Sequence, residues 1–179
     1  MDMQIGLIGH TRLGALLALS LRSKNHEVII YDLDADPEDG NTSDLQEYGI
    51  CAVNSLKELA ESTTSKRVIL LLLDESRLDE ILDELLGYLS VGDILVDVSD
   101  SFRQDTIRRA QQAQALQINY LDCAVNRISD SEVTGRRITI GGNRFAFNHC
   151  EPIWSCIASK GYIYAGRSGS GHAVLNIEQ

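Results

Sequence analysis

The sequence predicts an α/β chain built on a doubly wound, mostly parallel sheet with helices on both faces. Three observations carry the prediction. Short runs are apolar at every position, as in VILLLL at 68–73, which fits strands buried on both faces. Longer segments with apolar residues at helical spacing separate those runs, as in Leu78, Ile81, Leu82, Leu85 and Leu86. A turn bounded by glycines, GHTRLG at 9–14, follows the first run directly. Strands alternating with helices in this way imply right-handed βαβ crossovers.

The elements follow in order. MQIGLI at 3–8 reads as a buried strand, Gly9 to Gly14 as a turn, and Leu13, Leu16, Leu17, Leu19 and Leu21 as the apolar side of a helix. HEVIIYD at 26–32 is a second strand, and the polar segment 33–44, with Pro37 and Gly40, is a surface loop. Ser55 and Glu58 form a capping-box signature ahead of LKELAES. RVILLLL at 67–73 is a strand, 76–89 a helix, DILVDV at 93–98 a strand, 102–116 a helix and INYLDC at 118–123 a strand. RRITIGG at 136–142 is a sixth strand. Ala146 to Ile157 carry a helical stripe interrupted by Pro152, and GYIYAG at 161–166 closes the series.

Composition narrows the classes. At 179 residues and 44% hydrophobic, the chain suits one core, so residues 1–179 are expected to form a single domain. The net charge of −10 opposes binding to nucleic acid or to anionic membranes. The longest apolar run is far too short to span a bilayer, and the N-terminus has no basic segment leading into a long apolar one. A soluble, unprocessed protein is expected. Cys51, Cys123, Cys150 and Cys156 form no C-x-x-C pair and read as reduced core thiols of a cytoplasmic protein, with no metal site.

The turn is the chemical signal. In G-x-G-x-x-G the first glycine permits the bend, the second admits the pyrophosphate, and the third lets helix pack on strand. Here Gly9 and Gly14 fill the first and third places, and Thr11 the second. The Thr11 Cβ crowds the pyrophosphate, while its hydroxyl can donate to a phosphate oxygen. The helix N-terminus offers free N–H groups to an anion. Asp32 ends the second strand, where a carboxylate accepts from a ribose 2′-OH and repels a 2′-phosphate. The expected ligand is therefore NAD rather than NADP. The candidate cofactor set is Gly9, His10, Thr11, Arg12, Leu13 and Gly14 of the turn, Asp32, and Leu72 and Leu73 at the end of the 67–73 strand.

MQIGLIGHTRLG, HEVIIYD, LSVGDILVDVSDSFRQDTIRRA, INYLDC, ITIGGN, EPIW and GSGSGHAV, in that order, resemble the N-terminal coenzyme domain of 6-phosphogluconate dehydrogenases, within the wider β-hydroxyacid dehydrogenase group. The resemblance covers nearly the whole chain and implies a Rossmann fold. Some members of the family carry alanine at the second glycine place, which makes Thr11 a smaller departure.

The resemblance also implies missing chemistry. Family enzymes transfer a hydride to nicotinamide and then decarboxylate, with a lysine in G-H-x-V-K as general base and acid. The matching stretch is GHAVLN, so Leu175 stands in the lysine's place and no catalytic residue is assigned. The family's Ser-Gly-Gly substrate loop matches Asn126, Arg127 and Ile128. The asparagine of its G-G-N-S turn matches Asp100, and its histidine and asparagine after the lysine match Glu178 and Gln179. A helical domain follows the coenzyme domain in the family, and the sequence stops at Gln179, about where the connecting helix would begin. Apolar surface left uncovered would then favour a homo-oligomer or a partner chain.

Other residues have plainer readings. His26 is structural, and His10 faces either phosphate or solvent. His172 matches the family's glycine–histidine pair. Asp97, Asp100 and Asp105 surround a strand-to-helix turn in which Ser99 or Ser101 would cap the helix. Arg108 and Arg109 fall on a solvated helix face, and Arg127 on a surface loop or in a pocket that holds a carboxylate or phosphate. Three functions stay open: a non-catalytic module that binds a nucleotide or a partner, an oxidoreductase completed by another chain or acting on another substrate, and a structural remnant that binds no cofactor.

Overall fold

The computed structural model describes residues 2–9, 11–34, 48–64, 66–127 and 136–175. Among these residues eight strands form one sheet: β1 (Gln4–Ile8), β2 (Glu27–Tyr31), β3 (Cys51–Val53), β4 (Val68–Leu71), β5 (Ile94–Asp97), β6 (Asn119–Arg127), β7 (Arg136–Gly142) and β8 (Tyr162–Gly166). The helices among the described residues are α1 (Arg12–Arg22), α2 (Leu56–Ser62), α3 (Glu75–Leu86), α4 (Arg103–Ala115), α5 (Arg144–His149), α6 (Glu151–Ile157) and α7 (Ser170–Leu175).

The strand order is β3-β2-β1-β4-β5-β6-β7-β8. Pairing is parallel from β3 through β6, turns antiparallel between β6 and β7, and is parallel again between β7 and β8. The chain therefore winds outward twice from β1, once toward β3 and once toward β6, which is the doubly wound arrangement expected from the sequence.

Alternation along the central strands builds two cores. Ile5, Leu7, Val68, Leu70 and Val96 face α1, α5 and α6, meeting Leu17, Leu21, Phe147 and Trp154. Ile8, Ile69, Leu71 and Leu95 face α2, α3 and α4, meeting Leu59, Leu78, Leu82, Leu85 and Ala113. Both faces of β4 are thus covered, and all four of its residues are buried, as its unbroken apolar run requires. Trp154 is fully buried, and its indole N–H donates to the Phe147 carbonyl at 2.9 Å.

Several expectations need correction. The 146–157 stripe is two helices, not one: Pro152 opens α6 and Cys150 lies between it and α5. β3 and α7 were not anticipated, and β6 runs on to Arg127. Cys51 is exposed, so it is no core thiol, whereas Cys123 and Cys150 are buried. Burial pushes both of those thiols upward. The Ser55 cap is present: its hydroxyl accepts the Glu58 amide at 3.1 Å, and the Glu58 carboxylate accepts from Asn54 N at 2.8 Å. His26 is buried and structural, its Nδ1 accepting the Met3 amide at 3.1 Å. Most of the 33–44 loop lies outside the described residues.

Candidate functional site

Strand order reverses at β1, so the chain leaves β1 toward α1 on one face of the sheet and β4 toward α3 on the other, and a crevice opens between the two connections. In open α/β sheets ligands bind at such a switch point. An open cleft of about 460 Å³ lies there, lined by Thr11, Arg12, Leu13, Leu72, Leu73, Asp74, Glu75, Val98, Ser99 and Asp100. Its size is within the range of small-molecule sites, about 300–1,000 Å³.

The turn over β1 is built as its glycines demand. Gly9 has a φ of +98°, and a Cβ on it would collide with the Leu72 carbonyl. Its amide donates to the Tyr31 carbonyl at 2.9 Å, while Leu72 N donates to Ile8 O at 2.9 Å, so the ends of β1, β2 and β4 are tied together at this residue. A Cβ on Gly14 would approach the Gly9 carbonyl to 3.0 Å, which explains why helix and strand need glycine at the third place.

Thr11 is the N-cap of α1. Its hydroxyl oxygen accepts the Gly14 amide at 3.1 Å, which occupies one of the four N–H groups the helix would otherwise offer. Thr11 and Arg12 are exposed, Leu13 is half-buried, Leu72 is buried and Leu73 half-buried. Thr11, Arg12, Leu13, Leu72 and Leu73 thus line one cleft, Gly9 and Gly14 lie in the turn beside Leu72 without lining it, and His10 lies outside the described residues. Asp32 follows β2 and accepts the Asp34 amide at 3.0 Å. Asp34 in turn holds Arg77 through two contacts, 2.7 and 2.9 Å. Salt-bridged in this way, the Arg77 guanidinium is raised in pKa.

The opposite wall was misread in the sequence. Ser99 and Ser101 do not cap α4, whose N-cap position is Phe102 with no side-chain cap bond. Instead both serines are buried and their hydroxyls lie 2.6 Å apart. Arg109, expected on a solvated face, is 1% exposed; Nη1 donates to Ser101 Oγ at 2.7 Å and Nε to Asp79 at 2.7 Å. Burial opposes the Arg109 charge, but the Asp79 hydrogen bond and the Asp79 and Asp97 carboxylates outweigh it and raise its pKa. Asp97 accepts the Ser99 amide at 2.9 Å and the Tyr120 hydroxyl at 2.7 Å. Burial and the adjoining Asp97 carboxylate push Tyr120 well up. Arg108 is exposed as expected and pairs with Asp79 and Asp105.

A second polar centre lies where α7 begins. The buried Asp122 carboxylate accepts the Gly169 amide at 2.8 Å and the His172 amide at 2.9 Å. A Cβ on Gly141 or Gly171 would run into Asp122, so the two glycines let the strand and the helix close around it. His172 is buried, with Nδ1 2.8 Å from Thr106 Oγ1. The Thr106 hydroxyl also reaches the Phe102 carbonyl at 3.1 Å, and the imidazole tautomer decides which of Thr106 and His172 donates to the other. His172 Nε2 has no partner among the described residues. Leu175 is the last residue of α7; Asn126 and Arg127 end β6, while Ile128, Glu178 and Gln179 lie outside the described residues.

Sequence reasoning missed Asp74, Glu75, Val98 and Ser99 as cleft residues. The signal was available in position alone, since each follows a strand of the parallel core at its carboxyl end. Among the described residues no helix is long and apolar enough to cross a membrane.

Comparison with known proteins agrees with this geometry. Residues 4–166 match the family described as the NAD binding domain of 6-phosphogluconate dehydrogenase. YqeC of Bacillus subtilis is 30% identical over 171 residues, covering 95% of this chain and 56% of YqeC. The decarboxylating 6-phosphogluconate dehydrogenase of Staphylococcus aureus is 31% identical over 181 residues, covering 97% and 39%. The chain therefore spans about two-fifths to just over half the length of these relatives. The 3-hydroxyisobutyrate dehydrogenase of Mycobacterium tuberculosis superposes with a TM-score of 0.86 at 18% identity, over 99% of this chain and 59% of that one. The 6-phosphogluconate dehydrogenase of Plasmodium falciparum gives 0.84 at 23%, over 98% and 39%. At such identities the structural likeness speaks for the fold.

Proposed function

Since the chain belongs to the family of NAD-binding domains of 6-phosphogluconate dehydrogenase, we propose that it binds a nicotinamide dinucleotide across the cleft and prefers NAD to NADP. The observation that carries this reading is the Gly9–Gly14 turn at the switch point, with α1 presenting its N-terminus to the cleft. The pyrophosphate would lie over Thr11, Arg12 and Leu13, and the adenine ribose beside Asp32. Bound there, the cofactor supplies a hydride acceptor or donor; the residues of this chain bind and orient it.

Asp32 supports NAD, because a carboxylate at that place accepts from a 2′-OH and repels a phosphate. Arg77 is the available counterweight, but Asp34 holds it. Calorimetric titration of the purified protein with NAD and with NADP tests the proposal. Saturable binding with NAD the tighter is expected; no binding of either would overturn the binding reading, and tighter NADP would overturn the preference.

Catalysis by this chain alone is not proposed. Leu175 offers no proton-transfer group at the place the family resemblance gives to lysine. Relatives longer than this chain support a reading in which further helical structure closes the pocket, whether in the same or a separate polypeptide. Exposed Phe102 and Phe145 give such a partner, or a second copy of the chain, apolar surface to cover. The free cysteines support a cytoplasmic setting.

A further inference from the structure

The hydrogen bonds behind the cleft fix the direction in which one hydroxyl points. Arg109 is a donor at every nitrogen, so Ser101 Oγ must accept from it. Ser101 is 1% exposed, and the acceptor within reach of its own hydrogen is Ser99 Oγ, 2.6 Å away. Reversing that bond would leave the Ser101 hydrogen buried without an acceptor, which is costly. Ser101 therefore donates to Ser99. Ser99 has its amide committed to Asp97, and its hydroxyl makes no other hydrogen bond among the described residues. The hydrogen of that hydroxyl is left to the cleft that Ser99 lines.

Position says which part of a dinucleotide it meets. Asp32 follows β2 and Ser99 follows β5, and the order β2-β1-β4-β5 separates them by three strand spacings, about 14 Å. With the pyrophosphate over β1 and the adenine ribose at β2, the nicotinamide half extends over β4 and β5. Charge excludes an anionic group at this end: Asp74, Glu75 and Asp100 line the same wall. An uncharged acceptor fits, and an amide oxygen is the strongest uncharged acceptor a nicotinamide carries.

We propose that Ser99 is a cofactor-binding residue whose hydroxyl, oriented by Arg109 through Ser101, donates to the carboxamide oxygen of nicotinamide. The inference rests on the dinucleotide-binding reading above. Arg109 and Ser101 are positioning residues, since neither lines the cleft.

A ligand series against one substitution tests it. NAD, ADP-ribose and pyridine adenine dinucleotide, which lacks the carboxamide, are titrated into wild type and Ser99→Ala. In wild type, loss of the carboxamide should weaken binding about three- to tenfold, the worth of one hydrogen bond. Ser99→Ala should weaken NAD by the same factor, leave ADP-ribose unchanged and bind NAD and the pyridine analogue alike. Equal affinity of wild type for NAD and the pyridine analogue would overturn the assignment even if the variant failed to fold. An equal loss for NAD and ADP-ribose in Ser99→Ala would also overturn it. If wild type binds neither NAD nor ADP-ribose, the dinucleotide reading itself falls, and this inference with it.

Discussion

Thr11 Oγ1 accepts the Gly14 amide at 3.1 Å, so the residue that replaces the middle glycine of the turn also caps the helix that follows. Its two effects oppose each other, because the cap stabilises α1 while the Cβ stands where a pyrophosphate approaches. Thr11→Gly should lower stability by only a few tenths of a kcal/mol and leave NAD affinity equal or improved. Thr11→Ala, which keeps the Cβ and loses the cap, should cost about 1 kcal/mol. Thermal melts and calorimetry on both variants check this. Gly14→Val should damage both properties, since a Cβ there already comes within 3.0 Å of the Gly9 carbonyl. Unchanged affinity in a folded Gly14→Val protein would move the cofactor elsewhere.

Cofactor choice should respond to Asp34, a residue that need not touch the ligand. Asp34 grips Arg77 with two contacts beside the Asp32 position, and the pair is exposed enough to cost little when broken. Asp34→Ala frees the guanidinium to meet a 2′-phosphate. The ratio of NAD to NADP affinity should fall by about three- to tenfold, with stability within about 0.5 kcal/mol of wild type. An unchanged ratio would mean that Arg77 cannot reach the ribose.

Arg109 should be the costlier group to disturb. Asp79 is its charged partner, and Asp79→Asn leaves a buried guanidinium short of a carboxylate, at about 1–3 kcal/mol. The Arg109 hydrogen bond lowers the Asp79 pKa against burial, and Arg108 adds to the effect. The folded state thus binds fewer protons at Asp79 than the unfolded chain. Its contribution is complete above the ordinary value of 3.8 and is lost as pH falls through the lower, folded value. Melting temperatures of wild type and Asp79→Asn should converge toward acid pH. A constant gap down to pH 2 would assign the loss to packing.

The central half of the fold was legible because its strands are buried on both faces. VILLLL can hardly be anything else between a helix and a turn, and it became β4 with both faces covered. Direction was not legible: ITIGG carries the same apolar pattern whether it pairs parallel or, as β7 does with β6, antiparallel. β3 has only three residues, too few for any period to register. In the site, glycines announced the turn because only a missing Cβ permits it. Ser99 and Arg109 gave no such signal, since adjacent arginines look alike until one is 1% exposed and bonded to a serine. Asp122 was equally silent, because its role depends on a helix start 47 residues away.

The last prediction is that this 179-residue chain does not oxidise 6-phosphogluconate at an ordinary enzymatic rate. Leu175 ends α7 at the place the family resemblance gives to the catalytic lysine, and a hydrocarbon side chain neither takes nor gives a proton. General acid–base assistance is worth about 10²–10⁴-fold, so its loss alone leaves a measurable residue of activity. The cleft adds a second obstacle, for Asp74, Glu75 and Asp100 line its wall and repel a substrate that carries both phosphate and carboxylate. Leu175→Lys alone should therefore fail to restore turnover, because the acidic wall and the open cleft remain. The assay is formation of reduced cofactor at 340 nm with 6-phosphogluconate and excess NAD or NADP, against a protein-free blank. Saturable turnover of about 1–10³ s⁻¹ by wild type would refute the non-catalytic reading. Rescue by Leu175→Lys alone would instead show that the acidic wall is no barrier and that the missing base was the whole defect.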